Sequence, residues 1–210
     1  MPTTTTLDTT QLIALAAALG WASGLRLYAV LAITGLAGYA GWVPLPAGLH
    51  VLQHPLVIAA SCFMVFVEFF ADKIPGLDSI WDLVHTAIRI PAGAALAAAV
   101  FGGLPGADNA TWATIAALLG GSLAATSHVA KATTRAAINT SPEPFSNIGM
   151  SLLGDLTVPG TMWLAFHHPI ALLVFIVAAV VVMVLLILVL AKYLKAVAHR
   201  LSLLFSAVFA

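Results

Sequence analysis

Charge is scarce in this 210-residue chain: eight Lys or Arg and eight Asp or Glu make up 8% of it, against about 25% in a soluble domain. So little polarity cannot clothe a globular surface in water. With 61% hydrophobic residues and a mean hydropathy of +1.06, the main solvent is expected to be lipid. The two signs balance, so no basic footprint for nucleic acid exists. Cysteine is scarcer still. Cys62 stands alone in an apolar run, which excludes an intrachain disulfide and a Cys-based metal cluster. The first ten residues hold no Lys or Arg, and no A-x-A site follows a short apolar run, so a cleaved signal peptide is not expected.

What is present reads as helices. Asp8 to Gln11 forms a capping box opening an apolar segment to about Ala40, which contains a single charge, Arg26. Pro55, at the N1 position, opens a second run that ends at Glu68-Phe69-Phe70-Ala71-Asp72-Lys73. Ile74 to Leu77 breaks the chain, and Asp78 caps a third helix to about Phe101, with a kink expected at Pro91. After a Gly102–Asn109 turn, a fourth helix runs from about Thr111 to Asn139. Ser141-Pro142-Glu143-Pro144 is a rigid linker. A fifth segment covers about Ser146 to Phe166, broken near Pro159-Gly160, and a sixth covers Ile170 to Leu190. The expectation is an all-α polytopic bundle of about six spans, one membrane domain over residues 1–191. Residues 192–210, with Lys192, Lys195, His199 and Arg200 set against leucines and phenylalanines, read as an amphipathic helix on the membrane surface.

The linkers after spans one, three and five hold Asp108 and no Lys or Arg, whereas the other side takes Lys73, Lys131, Arg135, Lys192, Lys195 and Arg200. Positive residues favour the cytoplasm, so six spans place both termini there, in a bacterial inner membrane. Trp42, Trp112 and Trp163 fit an aromatic belt on the opposite face, with His50, His54, His167 and His168 as interfacial groups. Leu15–Gly20 resembles Ile115–Gly120, and with spans one and four opposed this would suggest a three-plus-three inverted repeat. Glu68–Asp72 also resembles Glu143–Asn147, a match that an inverted repeat forbids.

The remaining charges fall on stripes. Asp78, Asp82, His85 and Arg89 share one face of the third helix, and His128, Lys131, Arg135 and Asn139 share one face of the fourth. Antiparallel packing sets Asp78 and Asp82 beside Arg135 and Asn139, with Arg89 and His128 about 16 Å from the helix ends. Arg26, in the middle of the first span, needs a carboxylate or a water-filled cavity, and Asp155 and Asp82 are its candidate partners. Glu68 and Asp72 sit at the unfavourable C-terminal end of the second helix. Together with Asp78, Asp82 and His85 they could supply oxygen and nitrogen ligands for Mg²⁺ or Mn²⁺. Ser146 and Asn147 could cap the fifth helix, turning its amides toward the charges.

Ala22-Ser23-Gly24-Leu25-Arg26-Leu27-Tyr28, Glu68 through Asp82, and Thr134-Arg135 through Asn147 resemble the signature stretches of the bacterial membrane family catalogued as domain of unknown function 4126. The resemblance runs to about residue 190. It implies a helical inner-membrane protein and carries over no catalytic residue.

The leading expectation is a transporter or channel for an ion or small polar or anionic solute. Arg26, Arg89, Lys131 and Arg135 would hold an anionic group. Asp82, Asp155, His85 and His128 would relay a coupling proton or bind a coupling cation, with Asn139 beside them. The alternatives are an Mg²⁺-dependent intramembrane enzyme on a phospholipid or polyprenyl phosphate, and a scaffold whose charges fix helix register. No compact motif with a nucleophile supports the enzyme. The glycines and alanines of spans one, three and four allow close packing, and a homo-oligomer is compatible with the composition.

Overall fold

The computed structural model describes residues 7–74, 76–102, 108–140 and 144–208. Pro75, most of the Gly102–Asn109 turn and the Ser141–Glu143 part of the rigid linker lie outside the described residues. Six α-helices follow in order: α1 (Thr9–Tyr39), then a 3-10 turn (Ala47–Gln53), α2 (Pro55–Ala71), α3 (Leu77–Phe101), α4 (Asn109–Ile138), α5 (Pro144–His167) and α6 (Pro169–Val208). By length and composition α1, α3, α4 and α6 can each cross a membrane, and the 3-10 turn with α2, bent by 69°, makes a fifth candidate. The count of six spans is therefore not reached.

The helix starts follow local chemistry. Asp8 and Gln11 exchange hydrogen bonds in a capping box at α1, and Pro55 stands at the first position of α2. Three other expectations change. Asp78 lies inside the first turn of α3, behind a Gly76 cap. α5 begins at Pro144 and runs unbroken through Pro159, so Ser146 and Asn147 do not cap it. α6 continues past Leu190 to Val208 without interruption, so residues 192–208 prolong the last helix rather than starting a new one. At 40 residues it is about 60 Å long, roughly twice a bilayer's hydrocarbon thickness.

The largest departure lies in α1. Arg26 has φ −149° and ψ 82°, which breaks the helix within its length. The first half, residues 9–25, runs alongside α4 in the same direction: Gly20 meets Gly120, Ser127 Oγ donates to the Trp21 carbonyl at 2.7 Å, and Lys131 Nζ donates to the Leu25 carbonyl at 3.2 Å. α3 is antiparallel to both, with Gly93 against Gly20 and Ala124, and Phe101 stacked on Trp112.

The second half of α1 does not continue upward. Gly35 packs on Leu52, and Gly48, one turn earlier in the 3-10 segment, bonds to the Gly102 carbonyl at 3.0 Å. A straight α1 would leave Gly35 about 36 Å from Gly102 at 1.5 Å per residue, far beyond that reach. Residues 27–39 therefore turn back toward the end of the bundle from which α1 started. α1 is a helical hairpin dipping into the bundle, and α2 through α6 then alternate in direction. Thr9 and Val208, the outermost helical residues described, consequently lie at opposite ends of the bundle rather than at one end. The parallel run of α1 and α4 likewise removes the inverted relation read from Leu15–Gly20 and Ile115–Gly120.

Small residues make the central crossing. A Cβ on Gly20 would stand 2.6 Å from the Gly120 Cα, and one on Gly93 would stand 2.6 Å from the Ala124 Cβ. Such close backbone approach maximises dispersion where lipid supplies no hydrophobic drive between helices. Around it pack Leu15, Leu19, Trp21, Val100, Met162 and Leu172, all nearly inaccessible. Trp42, Trp112 and Trp163 are exposed, all toward the end of the bundle where α1 begins.

Candidate functional site

Ten ionised side chains gather in the half of the bundle above the α1 break. Arg89 on α3 pairs with Glu68 of α2 and, at 2.8 Å, with Asp82 of its own helix. Lys131 on α4 reaches Asp82 at 3.1 Å and Asp72 at 3.0 Å. Arg135, one turn further along, meets Asp78 at 3.0 Å, Asp72 at 3.3 Å and Asp82 at 3.6 Å. Arg26 reaches Asp72 at 3.0 Å and Asp155 of α5 at 2.9 Å, and Lys73 closes the network on Asp155 at 3.0 Å. Five cations and five carboxylates thus form one connected, neutral set.

Neutral polar groups satisfy its margins. Asn139 donates to Asp78 at 3.1 Å, Asn147 Oδ1 accepts from Arg135 at 3.1 Å, and Ser151 accepts from Arg26 through its hydroxyl and its carbonyl. Asp78 Oδ1 also accepts from the Gly76 and Ser79 amides at 2.8 and 2.7 Å, which fixes the start of α3. Charges removed from water are costly unless so paired and bonded. Glu68, Asp72, Asp78, Asp82, Arg26, Arg89 and Arg135 are all buried, whereas Asp155 and Lys73 form the more open corner.

The two histidines hold defined tautomers. His85 Nδ1 faces the Trp81 carbonyl at 2.8 Å, and a carbonyl only accepts, so Nδ1 carries the proton and Nε2 accepts from Tyr28 Oη at 3.1 Å. His128 Nδ1 faces Arg89 at 3.3 Å and must accept, so Nε2 donates to Thr86 Oγ1 at 2.8 Å, and that hydroxyl donates to the Asp82 carbonyl.

Sequence spacing placed most of this correctly. α3 and α4 oppose their stripes as expected, and Asp155 is an Arg26 partner. Asp82 is not one; Asp72 takes that role because the hairpin in α1 brings Arg26 to the end of α2. Ser151, missed in the sequence, stands four residues before Asp155 and so shares its helical face. Lys73, Tyr28, Thr86 and Asn147 also belong to the site and were not assigned to it. Glu68, Asp72 and Asp78, read from the sequence as metal ligands, are placed among cations instead. Each is occupied by arginine, lysine or both, and among the described residues no three His, Cys, Asp or Glu side chains converge to hold an ion.

Beside the network lies a cavity of about 140 Å³ between α1, α4, α5 and α6. Its floor is Arg26, Lys131, Arg135 and Asp72, and its walls include Trp21, Leu25, Leu153 and Met183. Three cations and one carboxylate of the network line it. Of the other carboxylates, Glu68, Asp78 and Asp82 pair with these cations or with Arg89, and Asp155 holds Arg26 at 2.9 Å from α5.

The chain belongs to the family described as Domain of unknown function (DUF4126), which it matches over residues 13–192. No curated protein and no solved structure matches it.

Proposed function

We propose that this DUF4126 member is a membrane carrier for a small anionic or polar solute, held at the cavity by Arg26, Lys131 and Arg135. The observation that carries the reading is the break in α1 at Arg26, deep in an apolar bundle and beside a cavity lined by three cations. Interrupted helices at membrane depth occur where they line a cavity, because the freed backbone groups need partners there. In many carriers such breaks form the substrate site. Here Lys131 and Ser127 serve carbonyls at the end of the first half of α1. Asp155, shared by Arg26 and Lys73 at the open corner, is the group through which a proton would couple to anion binding.

The end of the bundle carrying Lys73, Lys131, Arg135, Lys192, Lys195 and Arg200 is the cytoplasmic one under the positive-inside rule. The cavity then lies in the cytoplasmic half, the C-terminus is inside and α1 enters from outside.

One observation favours a second reading. All ten charges are paired with one another, as they would be in a scaffold that uses them only to fix helix register. Proteoliposome uptake of radiolabelled phosphate and acetate separates the two. A carrier gives uptake above protein-free vesicles that Arg26→Gln abolishes. Absence of uptake with both probes, or uptake indifferent to Arg26→Gln, would leave the scaffold.

A further inference from the structure

The cavity has an unusual mouth. Among its lining residues, Met150 and Leu153 of α5 and Leu186 of α6 are apolar and exposed at the bundle's outer surface. The opening therefore faces hydrocarbon rather than water, while the floor presents three cations. Arg26 is 4% exposed, yet its Nε has no hydrogen-bond partner. That atom stands 3.5 Å from where a Cβ on Gly154 would be, and both residues line the cavity. A buried guanidinium N–H beside the cavity thus stands without an acceptor. The absent side chain at Gly154 keeps that space open.

We propose that the cavity takes the anionic headgroup of a membrane lipid, a phosphate or carboxylate at the end of a hydrocarbon chain, entering sideways between α5 and α6. The headgroup sits on Arg26 Nε, Lys131 and Arg135, and the chain lies along Leu153 and Leu186. About 140 Å³ is the space of four or five waters at ~30 Å³ each, enough for the head and not the tail. The inference rests on the cavity being the solute site and replaces a water-borne solute with an amphiphile.

The test uses the full chain in phosphatidylcholine nanodiscs, with phosphatidic acid spin-labelled on its acyl chain as the probe. Labelled phosphatidylcholine is the control and inorganic phosphate the competitor. One saturable, immobilised phosphatidic acid per chain is expected, with affinity at least ten-fold lower in Gly154→Leu, whose side chain occupies the cavity beside Arg26 and removes no charged group. Its thermal unfolding should match the parent, so lost binding is not lost folding. Phosphatidic acid held no better than phosphatidylcholine, or held equally by Gly154→Leu, overturns the proposal. Inorganic phosphate binding without phosphatidic acid binding overturns it too, and leaves a small-anion carrier standing. Phosphatidic acid bound at the cavity with no anion uptake in proteoliposomes upholds this inference and removes the small-anion carrier.

Discussion

Lys131 Nζ, on α4, donates to the Leu25 carbonyl of α1 at 3.2 Å while pairing with Asp72 and Asp82. One ammonium thus does two tasks: it serves a backbone acceptor at the break in α1 and ties two carboxylates from α2 and α3. The break and the charged network are therefore one structural unit.

Lys131→Met should be destabilising, because it removes a cation shared by two buried carboxylates and the side-chain donor to the Leu25 carbonyl. Asp72 keeps Arg26 and Arg135 and Asp82 keeps Arg89 and Arg135, so the cost stays below the ~3–5 kcal/mol of a buried charge left with no partner. Lys131→Arg should cost less. Chemical unfolding of the purified protein in detergent measures both, and a methionine variant as stable as the parent would contradict the pairing.

The glycines separate into two groups. Ala at Gly20 or Gly120 drives a methyl into backbone, and overpacking of this kind costs about 1–3 kcal/mol. Ala at Gly149 or Gly160 meets nothing within 4 Å and should gain about 0.5–1 kcal/mol of helix propensity. Unfolding midpoints that move the same way in both groups would contradict the three-helix crossing.

Opposite chain ends are testable by labelling. In a Cys62→Ser background, Thr10→Cys and Trp42→Cys should react with an impermeant maleimide from one side of sealed vesicles, and His199→Cys from the other. Labelling of Thr10→Cys and His199→Cys from the same side would contradict the hairpin in α1.

The network should be insensitive to salt. Screening acts on exposed charges and far less on buried ones, and Asp72, Asp78 and Arg89 have no exposed side-chain surface. Raising NaCl from about 0.05 to about 1 M should leave the unfolding midpoint within a few degrees. A large drop would mean that water reaches these pairs.

The sequence by itself determined the helices and their facing stripes. Spacings of three and four put Asp78, Asp82, His85 and Arg89 on one face, and His128, Lys131, Arg135 and Asn139 on another, because helical periodicity is local. It determined the lipid environment, since 8% charged residues cannot solvate a surface.

Tertiary structure alone decided the fate of Arg26 and, with it, the path of α1. Residues 9–39 read as one apolar helix, and no proline marks the break. The reversal is set by distant partners: Lys131 and Ser127 take α1 carbonyls, Asp72 and Asp155 take the guanidinium, and Leu52 receives Gly35. Those partners lie up to about 130 residues away along the chain, beyond any local pattern. Gly154 shows the same limit. Its absent side chain becomes a cavity only when α1, α4 and α6 close around it.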